Sequence, residues 1–260
     1  MHSREPVTSA PAASVSAYAM RLGDDRLVLG HRLSEWCGHG PILEEDIALA
    51  NIALDLIGQA TLFLKLAGET EGKGRSEDDL AYFREAVDYR NIQLVELAKG
   101  DFAFTIVRQF LFDVFSYHVL EQLQKSANSE IAGIAAKGFK EVRYHVRHSS
   151  EWVLRLGDGT PESHDRTQKA LDQLWRFTSE MFEADSVDRE MAAAGIGADL
   201  DAIKPKWEAV VRDVLTRATL TIPADPPAMT GGRKGRHTEA LGLMLSEMQI
   251  VARSHPGAEW

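Results

Sequence analysis

The residues of this chain best suited to chemistry are carboxylates and one imidazole on its expected core helices: Asp55, Glu85, Asp88, Asp113, Glu141 and His145. Of these, Asp55 and Asp113 are flanked by apolar residues, and Glu85 and Asp88 serve equally as surface charges. On the inward faces of four packed helices, such groups are the ingredients of a carboxylate-bridged di-iron centre. That centre takes a Glu from each of two helices and a Glu-x-x-His pair from each of the other two. The spacing here does not supply it. None of the nine histidines has a Glu or Asp three residues before it. Glu35/His39 and Glu141/His145 are four apart, which still shares a helix face, but Glu35/His39 runs out at a Gly-rich turn. A charge network in place of a metal is the physical alternative. A buried carboxylate there must find a cation, for which Arg84, Arg108, Lys140 and Arg143 are available, or hold a proton at a raised pKa.

Two basic stretches are further candidates. GGRKGRH concentrates Arg233, Lys234, Arg236 and His237 behind two glycines, where bare backbone N–H groups and cations can converge on phosphate oxygens or on an acidic partner. It is not a P-loop, because its spacing differs and no strand precedes it. EVRYHVRHSSEW stacks Arg143, His145, Arg147 and His148 and is expected to be a solvated helix face. Cys37, beside Trp36, is expected to be a packed thiol. No nucleophile elbow, dinucleotide fingerprint or zinc-type Cys/His spacing occurs.

The elements that must position these groups are helices throughout. Ile42 to Leu66 is apolar on nearly every side except for a stripe of Glu44, Asn51, Asp55 and Gln59, so it is expected to be buried. Long core helices are expected over 42–66, 76–98, 102–127 and 129–156, the second opened by Ser76 with Asp79 as a capping box. A short helix over 15–22 stops near Gly23, and Asp24 caps another through Trp36. Thr160 and Pro161 open a helix through about Ala194, kinked near 183–186. Further helices cover 202–220 and 238–254, the last capped by Thr238. No window alternates as a strand does. The expected architecture is all-α: a long-helix bundle with additional N- and C-terminal helices, in a single domain over 15–260 after a disordered lead-in over 1–14.

The totals narrow the function. A formal charge of −10 argues against a general nucleic-acid binder. One cysteine in 260 residues excludes an intrachain disulfide framework and fits a reducing, cytoplasmic setting. The first residues lack the apolar core of a secretory signal, and no apolar run is expected to reach bilayer length.

LVLGHRLSEWCGHGPILEEDIALANIALDLIGQA, KEVRYHVRHS, LWRFTSEMFEADSVD and GGRKGRHTEALGLMLSEMQ together resemble the C-type (PaaC) subunits of bacterial phenylacetyl-CoA epoxidases over nearly the whole chain. The resemblance implies a ferritin-like fold and a structural role in a multicomponent monooxygenase of phenylacetate degradation. It implies a catalytic A-type partner subunit that carries the di-iron site and binds the CoA thioester. It also implies a reductase subunit fed by NADPH through flavin and an iron–sulfur centre. Small accessory subunits and self-association are open. It supplies no catalytic residue and no metal ligand for this chain. Asp55, Glu85, Asp88, Asp113, Glu141 and His145 are then remnants of a metal site. Arg233, Lys234, Arg236 and His237 are candidates for contact with a partner or with CoA phosphates. Two other functions stand beside this one: a ferritin-like oxygenase active alone with an unorthodox metal site, and a CoA-recognition module.

Overall fold

The computed structural model describes residues 11–224 and 226–258. Among these, every regular element is a helix: α1 (Ala12–Ser34), α2 (Leu43–Glu71), α3 (Glu77–Tyr82), α4 (Gln93–Glu96), α5 (Phe102–Leu123), α6 (Ser129–Gly157), α7 (Pro161–Leu174), α8 (Ser186–Ala193), α9 (Leu200–Arg217) and α10 (Glu239–Ser254). Most of the lead-in lies outside the described residues, and its last part, Ala12 to Ser14, is already helical.

Four long helices form the core, each antiparallel to its neighbours. α1 and α2 make one hairpin, α5 and α6 the other, and α2 meets α6 while α1 meets α5. This is the ferritin-like arrangement, with one member corrected: the fourth long helix is α1, not residues 76–98. Gly23 does not stop α1. It lets α2 approach, since a Cβ there would lie 2.8 Å from the Leu64 side chain; at Gly30 one would lie 3.2 Å from the Ala53 carbonyl oxygen. Asp24 is accordingly a buried mid-helix residue rather than a cap.

Residues 76–98 break into α3, a 3-10 turn and α4 because their backbone donors are claimed from elsewhere. Arg90 N–H donates to Asp24 Oδ2 at 2.8 Å, Ile92 N–H to Asp25 Oδ1 at 2.9 Å and Gln93 N–H to Glu180 Oε2 at 2.7 Å. A backbone N–H bonded to a carboxylate is not free for the helical ladder. The expected helix over 162–194 also breaks, with 3-10 turns between α7 and α8. The Ser76/Asp79 capping box forms, as does the Thr160 cap with Pro161 behind it. Thr238 precedes α10, but its side chain caps nothing.

α2 also overturns the reading of its own apolarity. By length and composition it is long and apolar enough to cross a bilayer, and half of its most apolar window is buried in the bundle. The rest faces outward. Leu43, Ile47 and Leu54 are 72%, 52% and 66% exposed.

Candidate functional site

The stripe on α2 becomes a polar seam between α2 and α6, in shifted register. Glu44 and Asn51 face solvent, and the buried acid of the first turn is Glu45. His148 Nε2 lies 2.8 Å from Glu45 Oε2. His145 Nε2 lies 3.0 Å from Asp55 Oδ2, with the imidazole fully buried and the carboxylate 36% exposed at the mouth of the seam. Gln59 is the pivot. Its Oε1 accepts from Arg26 Nε at 2.8 Å, and its Nε2 donates to Glu141 Oε2 at 2.8 Å. Deeper still, Asp113 on α5 accepts from Gln109 Nε2 at 2.6 Å and from Ser149 Oγ at 2.9 Å.

Burial perturbs two groups in this interior. Burial pushes the Asp113 carboxyl up to about 6, against the opposing pull of His145 and its two hydrogen bonds. Burial likewise pulls the Arg26 guanidinium down to about 10, so it stays charged at neutral pH. Arg26 sits 5.0 Å from the Phe63 ring centroid and donates to the Leu22 carbonyl and to Ser116 Oγ. A cation on α1 thus lies buried in the middle of the bundle.

The donors do not fit a di-iron centre. Asp55, Glu141 and Asp113 each engage a different partner, and among the described residues no three His, Cys, Asp or Glu groups converge to hold a metal. The seam brings together Asp55, Asp113, Glu141 and His145 of the expected set. It excludes Glu85, which pairs with Arg253 on the surface, and exposed Asp88, which accepts from the Glu85 N–H in a tight turn. Residues 83–92 left the bundle when their helix broke, and the two carboxylates went with them. None of the expected counter-charges serves Asp55. Its partner is His145, and Arg84 pairs instead with Asp24. The face expected to be solvated is divided: Arg143 and Arg147 are exposed, while His145 and His148 point into the seam. Cys37 is exposed, not packed; Trp36 is the buried member of that pair, donating to Thr105 Oγ1.

A second polar network escaped the sequence reading. Arg21, Asp24, Asp25 and Arg26 are all buried on α1. Asp24 takes Arg84, and Asp25 takes Arg233 at 2.7 Å. Glu180 accepts the N–H groups of Gly231 and Gly232. Glu96 accepts from His237 Nδ1 and Asn91 Nδ2. Burial pulls the His237 imidazole down, but the bond and charge of Glu96 outweigh it and leave the pKa raised. The GGRKGRH loop is therefore half internal: Arg233 and His237 are tied inward, while Lys234 and Arg236 face solvent. The available signal was RLGDDR itself, four charges within six residues of one helix.

Fold and site together define an all-α, ferritin-like helical bundle with a polar seam between α2 and α6. The chain belongs to the family of phenylacetic acid catabolic proteins, whose model matches residues 1–260. It is 47% identical over 246 residues, covering 95% of this chain and 99% of the relative, to the C subunit of the 1,2-phenylacetyl-CoA epoxidase of Escherichia coli (strain K12).

Proposed function

We propose that this chain is a non-catalytic structural subunit of a cytoplasmic phenylacetyl-CoA epoxidase, packed against a di-iron subunit that it stabilises. The observation that carries this reading is the seam. Arg26, Gln59 and Glu141 form one connected line between the core helices, beside Asp55–His145 and Gln109–Asp113–Ser149. A buried arginine at that point opposes a dication electrostatically. In this reading the NADPH, flavin and iron–sulfur chemistry belongs to a reductase subunit and the iron to the catalytic partner.

The outward face of α2 supports a docking role. Leu43, Ile47 and Leu54 recur on one side of the helix, Gly58 continues the line with open space around it, and Tyr144 of α6 stands exposed across the seam. A contiguous apolar strip on one face is a recognised mark of a protein interface. Co-purification of the tagged chain with the catalytic subunit, in wild-type and Leu54→Asp forms, tests this reading. The complex should form with wild type and fail with the variant while the variant itself stays folded. Epoxidation by this chain plus reductase, without the second large subunit, would refute it.

A further inference from the structure

Away from the seam, the start of α1 and the end of α2 diverge around an open cleft of about 740 Å³. Its size falls within the range of small-ligand sites, roughly 300–1,000 Å³. Small residues at the start of α1, Ala12, Ala13, Ser16 and Ala17, leave the space. Arg21, Lys73, Arg75, Arg84, Arg90 and Arg233 line it from four separate stretches of chain, against only two carboxylates, Glu71 and Asp88. In a protein of net charge −10, six cations on one wall run against the composition.

Three of the cations are held in place from behind, while Arg75 and Lys73 share Glu71 at the cleft itself. Arg21 is gripped by Asp185 at 3.0 Å and Asp188 at 2.8 Å, Arg233 by Asp25 at 2.7 Å, and Arg84 by Asp24. These four aspartates do not line the cleft. They neutralise the buried guanidiniums before any ligand arrives and fix their planes, so an incoming anion would order little. Donor capacity remains at the cleft. Arg21 is 5% exposed, and its Nε is buried with no partner among the described residues. Arg75 uses Nε and Nη2 on Glu71, leaving Nη1. Arg90 donates from Nη1 to the Val87 and Tyr89 carbonyls and has no carboxylate partner among the described residues. A buried N–H without an acceptor is destabilising, and an anion's oxygen would relieve it.

We propose that this cleft binds a small phosphorylated ligand, its phosphate oxygens taken by Arg21, Arg75, Arg90 and Lys73. Planar guanidinium forks converging from separate elements suit tetrahedral oxyanions, which accept several N–H groups at once. The proposal stands independently of the structural-subunit reading, because none of these residues belongs to the seam or to the apolar face of α2.

Isothermal titration of the full chain with inorganic phosphate, pyrophosphate and adenosine 3′,5′-bisphosphate tests it. At least one should bind, and the double variant Lys73→Glu/Arg90→Glu should lose at least about tenfold in affinity. Ala13→Trp, which fills the cleft and leaves every charge in place, should lose binding too. Circular dichroism confirms that each variant is folded. Lys234→Glu/Arg236→Glu, on the neighbouring exposed loop, should bind as wild type does. Binding lost in that pair but kept in the cleft variants would overturn the proposal, as would failure of all three ligands to bind. Capture of an acidic peptide in place of every phosphate would replace it with a peptide-docking cleft.

Discussion

Replacing Asp113 by Asn asks how dry the bundle interior is. Asp113 is fully buried, and its carboxyl is raised from 3.8 to about 6, chiefly by desolvation. The folded chain therefore holds this proton more tightly than the unfolded chain does. Asp113's contribution is most favourable below the unfolded value and is lost as pH rises through about 6. The shift of about two units corresponds to about 3 kcal/mol at neutral pH. Asn has nearly the same shape, keeps an oxygen for Ser149, and offers an amide proton to Gln109 Oε1, which has no partner among the described residues. Asp113→Asn should thus gain stability over wild type by about 1 kcal/mol near pH 4.5 and about 3 kcal/mol near pH 7.5. Urea unfolding of both chains at the two pH values measures the difference, which cancels every other titrating group. An equal effect at both pH values, or a net loss at the higher one, would show that the interior is wet or that the carboxylate is needed as an anion.

Other perturbations separate the two networks and the docking face. Arg84→Leu leaves Asp24 buried without its ion-pair partner, and should cost about 3–5 kcal/mol in urea unfolding. His237→Gln removes an imidazole whose folded pKa is raised. Its stabilising share is complete below the unfolded value and fades as pH rises through the folded one, so the variant should lose more stability near pH 5.5 than near pH 8.5. Gly58→Ala should stabilise the isolated chain by up to about 1 kcal/mol, since nothing lies near the new methyl group, yet weaken co-purification with the catalytic subunit. By contrast, Gly30→Ala drives a methyl group against the Ile57 side chain and the Ala53 carbonyl, and a lowered melting temperature of the isolated chain should report it.

Much of this was legible in the sequence, and it failed where distant segments meet. Helix class, the α5 and α6 cores and the caps at Ser76 and Thr160 follow from local pattern, and local pattern decided them. The helix over 76–98 did not form because Asp24, Asp25 and Glu180 reach its backbone from distant parts of the chain. Periodicity within a segment carries no trace of such a claim. The same contacts carried Glu85 and Asp88 out of the bundle. Asp55, Glu141 and His145 share the seam because their helices are continuous. Arg26 as the occupant of the seam was missed for the opposite reason. The glycine beside Asp24 reads as a helix stop until the close approach of Leu64 shows what it is for.

The seam as a metal-free network is the central claim, and metal content tests it most directly. Iron should be quantified in this chain purified alone, in its complex with the catalytic subunit, and in the complex carrying Asp55→Asn/Glu141→Gln here. The seam account predicts no stoichiometric iron in the isolated chain and the same iron per complex with or without the substitutions. Stoichiometric iron in the isolated chain, lost on changing Asp55 and Glu141, would contradict it.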